Sequence, residues 1–257
     1  METLGDDLVL LAIRPNGVIA AAAKLQYALS GSELVRLAAL RRVSVERGRI
    51  VVLDEPPTGD ALLDEALGSM DGGAEPLTAR QWVASSRDEL VRRYLERLAA
   101  AGTIQLERRK ALGFISVIGW TVLDSGRMAA ARSRLDAVAH GTGNASLSEI
   151  ALAGLATAIG LPLVIYPGLG GFAARRRITR AVGRLSAEMI QAVSTPVVGA
   201  PDVAMRAATD AAVRAATDAS VRASIGAATQ AAIAGASDAA YPAHHATDGG
   251  GHADGHH

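Results

Sequence analysis

The chain of 257 residues has no cysteine. That absence excludes disulfides, thiolate nucleophiles and Cys-ligated zinc. Aromatic residues are nearly missing too, 3% against 49% hydrophobic residues, so Ala, Leu and Val supply the core. Such a composition suits close-packed helices better than a β-sandwich, whose pleated faces favour aromatic and β-branched side chains. Net charge is also lacking: 26 Lys plus Arg balance 26 Asp plus Glu. No global field therefore draws the molecule to nucleic acid or to a membrane. Met1 to Asp7 is acidic and has no apolar signal core, so no secretory signal is expected and cytoplasmic residence is the default.

Residues for enzyme chemistry are equally scarce. Five of the six histidines fall in the Gly- and His-rich segment Pro242 to His257, whose glycine spacing fixes no coordination geometry. That segment reads as a disordered tail, and neither a metal nor a cofactor is expected. His140 stands alone beside Gly141-Thr142-Gly143 and reads as structural. No Gly-x-Ser-x-Gly, phosphate-loop or paired His–Glu motif occurs. Gly168-Leu169-Gly170-Gly171 lacks the preceding strand of a dinucleotide site. The chain is therefore expected to be non-enzymatic.

What is present is a succession of helices punctuated by turns. Thr3 is expected to cap a first helix leading into the apolar run Leu8 to Ile13, and Pro15-Asn16-Gly17 is a turn. Val18 to Leu29 reads as helical. Ser30-Gly31-Ser32 reads as a break, with Ser32 capping a second helix, Glu33 to Leu40. Val43 to Val45 and Ile50 to Leu53 flank Arg47-Gly48 as a β-hairpin. Asp71-Gly72-Gly73 is read as a helix stop. Thr78 with Gln81 signals a cap before Trp82-Val83, and Ser86 with Glu89 a cap before a helix that Gly102 ends. A second hairpin follows, running from Ile104 through Arg108-Arg109-Lys110 to Trp120. Met128 to Ala139 reads as helical, with a loop after it.

Ile150 to Ala174 carries no charge and runs into Arg175-Arg176-Arg177. Its length and flank pass a first screen for a membrane span. Pro162, Pro167 and five glycines argue instead for a buried helix ending before Pro162, then an apolar loop. From Ala204 an eight-residue Ala-rich unit nearly repeats at Ala212. It carries an Arg206, Asp210, Arg214, Asp218, Arg222 ladder at four-residue spacing. Each ladder step supports a helix by roughly 0.2–0.5 kcal/mol. With few large apolar residues, this segment is expected to be a solvated, helix-prone tail, 201–241, after a helical domain, 1–200, and before the tail 242–257.

One stretch is more specific. Two prolines stiffen the approach at Pro56-Pro57. Thr58 is then positioned to cap a helix whose early turns carry Asp60, Asp64 and Glu65, where the helix dipole favours negative charge. Asp60 and Asp64 share a face but read as capping and solvated charge rather than as a metal pair. The pattern Pro57-Thr58-Gly59-Asp60, then Leu62-Leu63-Asp64-Glu65-Ala66-Leu67, resembles the signature of the Golgi phosphoprotein 3 family. In the same order come Leu4-Gly5-Asp6-Asp7-Leu8-Val9-Leu10-Leu11, Leu29-Ser30-Gly31, Trp82-Val83, and Leu98 to Gly102 with Ile104. The resemblance implies a mainly α fold, a compact helical domain with a central apolar helix, surrounding amphipathic helices and two short β-hairpins.

The resemblance also implies a peripheral membrane protein that binds phosphatidylinositol 4-phosphate and acts as an adaptor. In the family a Trp and an Arg near the first helices, with later basic residues, take the headgroup. Here Ala21 and Ser30 stand at the first two positions, and Asp88 and Val91 at the later pair. Lys24, Arg92 and Arg93 are the nearby candidate substitutes. The family's hairpin, implicated in membrane contact and self-assembly, corresponds to Arg108, Arg109, Lys110, Phe114, Ile115, Ile118 and Trp120. Read from the residues alone, a basic patch beside an apolar tip fits either an anionic bilayer or ordinary packing on the core. The expected partners are an anionic lipid at the inner face of a membrane, a protein, and a second copy through this hairpin. Two alternatives stand beside this reading. One is a winged-helix-like nucleic-acid binder using Arg41, Arg42, Arg47 and Arg49, disfavoured by the zero net charge; the other is a single-span protein through 150–174.

Overall fold

The computed structural model describes residues 4–53, 56–70, 76–85, 89–111, 115–141, 145–192 and 201–239, with 109–111, 115–117, 185–192, 201–204 and 232–239 described by backbone alone. Its elements run α1 (Leu4–Ala12), α2 (Ala22–Ala39), β1 (Val43–Glu46), β2 (Arg49–Val52), α3 (Ala61–Met70), α4 (Ala79–Ala84), α5 (Leu90–Ala100), β3 (Ile104–Ala111), β4 (Ile115–Val122), α6 (Ser125–His140), α7 (Leu147–Ala158), α8 (Leu161–Ile165), α9 (Phe172–Ala192) and α10 (Pro201–Ala239). The protein is mainly α-helical, with two separate antiparallel two-stranded sheets. The chain forms two compact units, Met1–Val221 and Arg222–His257. In the second, α10 continues to Ala239, and residues 224–231 are exposed.

At the centre of the first unit is α7. Ala151 to Ala156 are all buried, and the helix touches α1, α2, α6, α8 and α9. Ser146 caps it and Glu149 closes the capping box. At its other end Gly160 takes φ +82°, a left-handed conformation that costs glycine little and stops the helix. The uncharged stretch 150–174 is therefore most of α7, the short α8, a loop and the start of α9. No helix among the described residues is long and apolar enough to cross a membrane. The single-span alternative through 150–174 falls with that geometry, and the buried-helix expectation holds.

The first hairpin turns at Arg47 and Gly48, φ 52° and 79°, the pair of positive values that a tight two-residue loop requires. Thr78 and Gln81 form the expected capping box on α4. Gly102, φ 69°, ends the helix before β3 as expected. The cap expectations at Thr3 and Ser86, the stop at Asp71-Gly72-Gly73, and the tail 242–257 lie outside the described residues.

Two expectations change. Ser30-Gly31-Ser32 does not break the chain, because α2 runs straight through it. Ser32 is no cap; its hydroxyl donates to the Leu29 carbonyl at 2.8 Å inside the helix. Tertiary packing overrides the local preference: a Cβ on Gly31 would stand 2.7 Å from Leu155 Cδ2 and 3.4 Å from Ala212 Cβ. The Ala-rich segment is helical, as its charge ladder implies, but it is not solvated between Ala208 and Ser220. Ala208, Thr209, Ala212, Ala215, Ala216, Ala219 and Ser220 are buried. Missing side chains on both partners bring the backbones together: Val213 packs where a Gly154 Cβ would be, and Ser220 Oγ donates to the Ala158 carbonyl at 2.6 Å. Close approach replaces side-chain bulk as the source of dispersion contacts.

Gly31→Val is expected to cost about 1–3 kcal/mol by overpacking this seam. Gly183→Ala, with nothing within 4 Å of the new Cβ, is expected to be neutral or to gain up to about 1 kcal/mol of helix propensity. Urea midpoints of the two variants test the contrast; equal midpoints would refute the close seam.

Candidate functional site

The signature stretch builds a charged node rather than an open site. Asp60, not Thr58, is the residue that opens α3: its Oδ1 accepts from the Leu62 N–H at 3.0 Å. Thr58 acts one step earlier, giving both its N–H (2.6 Å) and its hydroxyl (2.7 Å) to Asp64 Oδ1. Hydrogen bonds from Thr58, backbone N–H first, hold the Asp64 carboxyl below the usual range. Asp60 Oδ2 accepts from Arg36 Nη2 at 2.8 Å and Arg97 Nη1 at 3.1 Å. Arg97 also pairs with Asp6, which Arg127 reaches at 3.5 Å. Arg97 lies 4.4 Å over the buried Tyr94 ring. Five helices (α1, α2, α3, α5 and α6) thus meet through one ion-pair chain. The expected solvated charge at Asp60 is instead largely enclosed, and Arg36 is 7% exposed.

The three candidate headgroup cations lie on two helices, Lys24 on α2 and Arg92 and Arg93 on α5. Arg92 is exposed and held between Glu89 (3.0 Å) and Glu96 (2.6 Å). Arg93 pairs with Glu65 of α3. Lys24 sits half-buried in the first turn of α2. No ion pair or hydrogen bond among the described residues joins the three.

The second hairpin is more open. In its register Leu106 faces Trp120 and Arg108 faces Ile118, so these four share one side of the ladder; Lys110 opposite Ser116 continues it. Arg109 (opposite Val117) and Ile115 (opposite Ala111) occupy the alternate positions. Leu106 is 51% and Ile118 58% exposed, and Arg108 is exposed with no ion pair among the described residues. Phe114 lies outside the described residues. The hairpin's base is anchored: the Trp120 N–H donates to the Gly17 carbonyl at 2.9 Å, and Gly17 packs directly on Gly119.

Beneath that base lies a cavity of about 590 Å³. Trp120, Leu10, Leu11, Ile13, Val164 and Ile165 give it apolar walls, and the exposed Arg14 is a cation on its lining. Arg132, also on the lining, stacks over the Tyr166 ring at 4.6 Å and pairs with Asp136 at 3.2 Å. Tyr166 OH donates to Asp136 at 2.5 Å, and burial pushes its phenol up. The far wall belongs to α8, whose Leu163 (65%) and Val164 (37%) are exposed, as are Leu169 and Phe172 beyond it. Residue reasoning missed this wall, reading the segment after Pro162 as an apolar loop. The available signal was Leu163-Val164-Ile165 followed within ten residues by Arg175-Arg176-Arg177.

Taken together these features define a helical domain with an amphiphilic hairpin raised over an apolar cavity. The family model described as Golgi phosphoprotein 3 (GPP34) matches residues 4–233, nearly the whole chain. The chain belongs to the Golgi phosphoprotein 3 family. Comparison with curated proteins finds no match.

Asp60→Ala is expected to remove the α3 cap and strand the buried Arg36 charge, at a cost of about 3–5 kcal/mol in chemical denaturation. The acid limb carries its own signature. Burial alone raises the Asp60 pKa, but the hydrogen bond and charge of Arg36, the charge of Arg97 and the Leu62 N–H outweigh it and lower it from 3.8. A lowered carboxylate contributes stability above its unfolded pKa, lost as pH falls through the folded value. Stability should fall on acidification below about pH 4, and Asp60→Asn should lack that share of the slope. An unchanged slope in Asp60→Asn would remove Asp60 from the account.

Proposed function

We propose that the chain is a non-catalytic peripheral membrane protein that meets an anionic lipid surface with the β3–β4 hairpin and the neighbouring α8 wall. One observation carries this reading: Leu106, Ile118 and Trp120 share a ladder face with Arg108, above a cavity lined by apolar side chains. Cations at the headgroup level, aromatic and aliphatic side chains below it, is the arrangement a membrane interface selects. Each cation near an anionic surface contributes roughly 1 kcal/mol. Membership of the Golgi phosphoprotein 3 family supports the same reading. General anionic recognition is favoured over strict phosphoinositide recognition. Ala21 and Ser30 stand where the family's Trp and Arg would be, and Arg92 and Arg93 already face carboxylates. An adaptor role follows if the rest of the surface engages a protein while the hairpin holds the lipid. The nucleic-acid alternative gains nothing from the wing at Arg47: Arg49 donates to the Pro76 carbonyl at 3.0 Å.

The test is vesicle co-sedimentation at two salt concentrations. Binding to phosphatidylglycerol vesicles is expected to exceed binding to phosphatidylcholine vesicles and to weaken with salt. A Leu106→Ser, Ile118→Ser variant should bind roughly tenfold or more weakly, since burying each side chain is worth about 1.5–3 kcal/mol. Both positions are exposed, so the variant should keep its fold. Full binding by this variant, or no salt dependence, would overturn the hairpin as the lipid contact.

A further inference from the structure

A second site lies on elements that the lipid-contact reading does not use. Between the end of α6, the start of α7, α9 and the first unit's part of α10 is a cleft of about 490 Å³. Arg177, Arg180, Arg184 and Arg206 line it, and no Asp or Glu among the described residues does. Three of these follow from helix geometry: positions 177, 180 and 184 stand at i, i+3 and i+7 on α9, one face of a helix. Ala181 completes that stripe, and Leu147 and Ile150 from the first turn of α7 give the cleft an apolar floor.

Charge density marks this cleft. Several arginines elsewhere in the described residues are matched to carboxylates: Arg36 to Asp60, Arg92 to Glu96, Arg134 to Asp7. Arg177, Arg180 and Arg184 have no such ion pair among the described residues. Glu149, in the first turn of α7, is held by the Ser146 N–H at 2.6 Å in the α7 cap. Like charges gathered on one concave wall raise the local potential, and an anion seated among them relieves it. Guanidinium forks match phosphate oxygens in pairs, which a point charge does not.

The geometry points to this cleft as a binding site for a phosphate monoester, its oxygens on the α9 arginines and Arg206 and its uncharged body over Leu147 and Ile150. The ligand is a small phosphorylated solute or the monoester headgroup of a lipid; both present the same dianionic group. Recognition here is independent of the hairpin, so the two sites fail separately.

Isothermal titration of the full chain with sodium pyrophosphate and with glycerol 3-phosphate is the test. Both are expected to bind the wild type, and the Arg180→Ala, Arg184→Ala variant to bind at least tenfold more weakly. Arg176→Ala removes an exposed α9 cation outside the cleft and should leave binding within twofold. Leu106→Ser, Ile118→Ser should also leave it unchanged, although it loses vesicles. Vesicles with phosphatidic acid, compared with phosphatidylglycerol at equal charge, identify the source. A preference for phosphatidic acid that the double arginine variant loses assigns a lipid headgroup. Equal capture together with pyrophosphate binding assigns a soluble ligand. No binding of either phosphate probe, or equal losses in Arg176→Ala and the cleft variant, would overturn the site.

Discussion

The Asp60 carboxylate is the constraint on which the arrangement of helices depends. It accepts a backbone N–H of its own helix and two guanidiniums from α2 and α5. Through Arg97 and Asp6 the same chain reaches α1, and through Arg127 it reaches α6. Such partly enclosed pairs add little net stability compared with an apolar replacement, but removing one member leaves a charge with nowhere to go. Their effect is on register: a helix that slid by one residue would leave Arg36 or Arg97 without its acceptor. Because α5 leads directly into β3, fixing Arg97 also fixes where the second hairpin leaves the domain. The residues that mark the family signature therefore act at a distance from the surface proposed to do the work.

Much of this was legible in the residues. The Thr78–Gln81 cap, the Arg47-Gly48 turn, the two hairpins and the buried helix before Pro162 follow from local rules that the tertiary structure leaves in force. The failures share a cause. At Ser30-Gly31-Ser32 local preference favours a break, but the absent Gly31 side chain is what lets Leu155 and Ala212 approach, and that contact keeps α2 continuous. The same contact explains why alanines, too small to suggest a core, are buried in α10. Glycine as a contact surface and glycine as a breaker read identically until the partner helix is in place. Asp60 was visible as a helix-start residue, but its partners lie 24 and 37 positions away.

The candidate site was half legible. Arg108, Ile118 and Trp120 stand out by type and fall on one ladder face. Periodicity could not report that α8 would turn Leu163 and Val164 outward beside the same cavity, since an uncharged run looks alike whether it is buried or exposed. Nor could it report that Arg92 and Arg93 would be matched to Glu96 and Glu65. The two surfaces differ in physics. The hairpin offers apolar area edged by charge, suited to a planar interface, while the α9 cleft concentrates like charge in a concave wall, suited to a compact anion.

The central claim is that lipid meets the β3–β4 face. Hydrogen–deuterium exchange of the full chain, with and without phosphatidylglycerol vesicles, tests it most directly. The account predicts slowed exchange over residues 104–122 and 161–172, reversed by high salt. Slowed exchange confined to the first hairpin, residues 43–52, or vesicle binding with no change over 104–122, would contradict it.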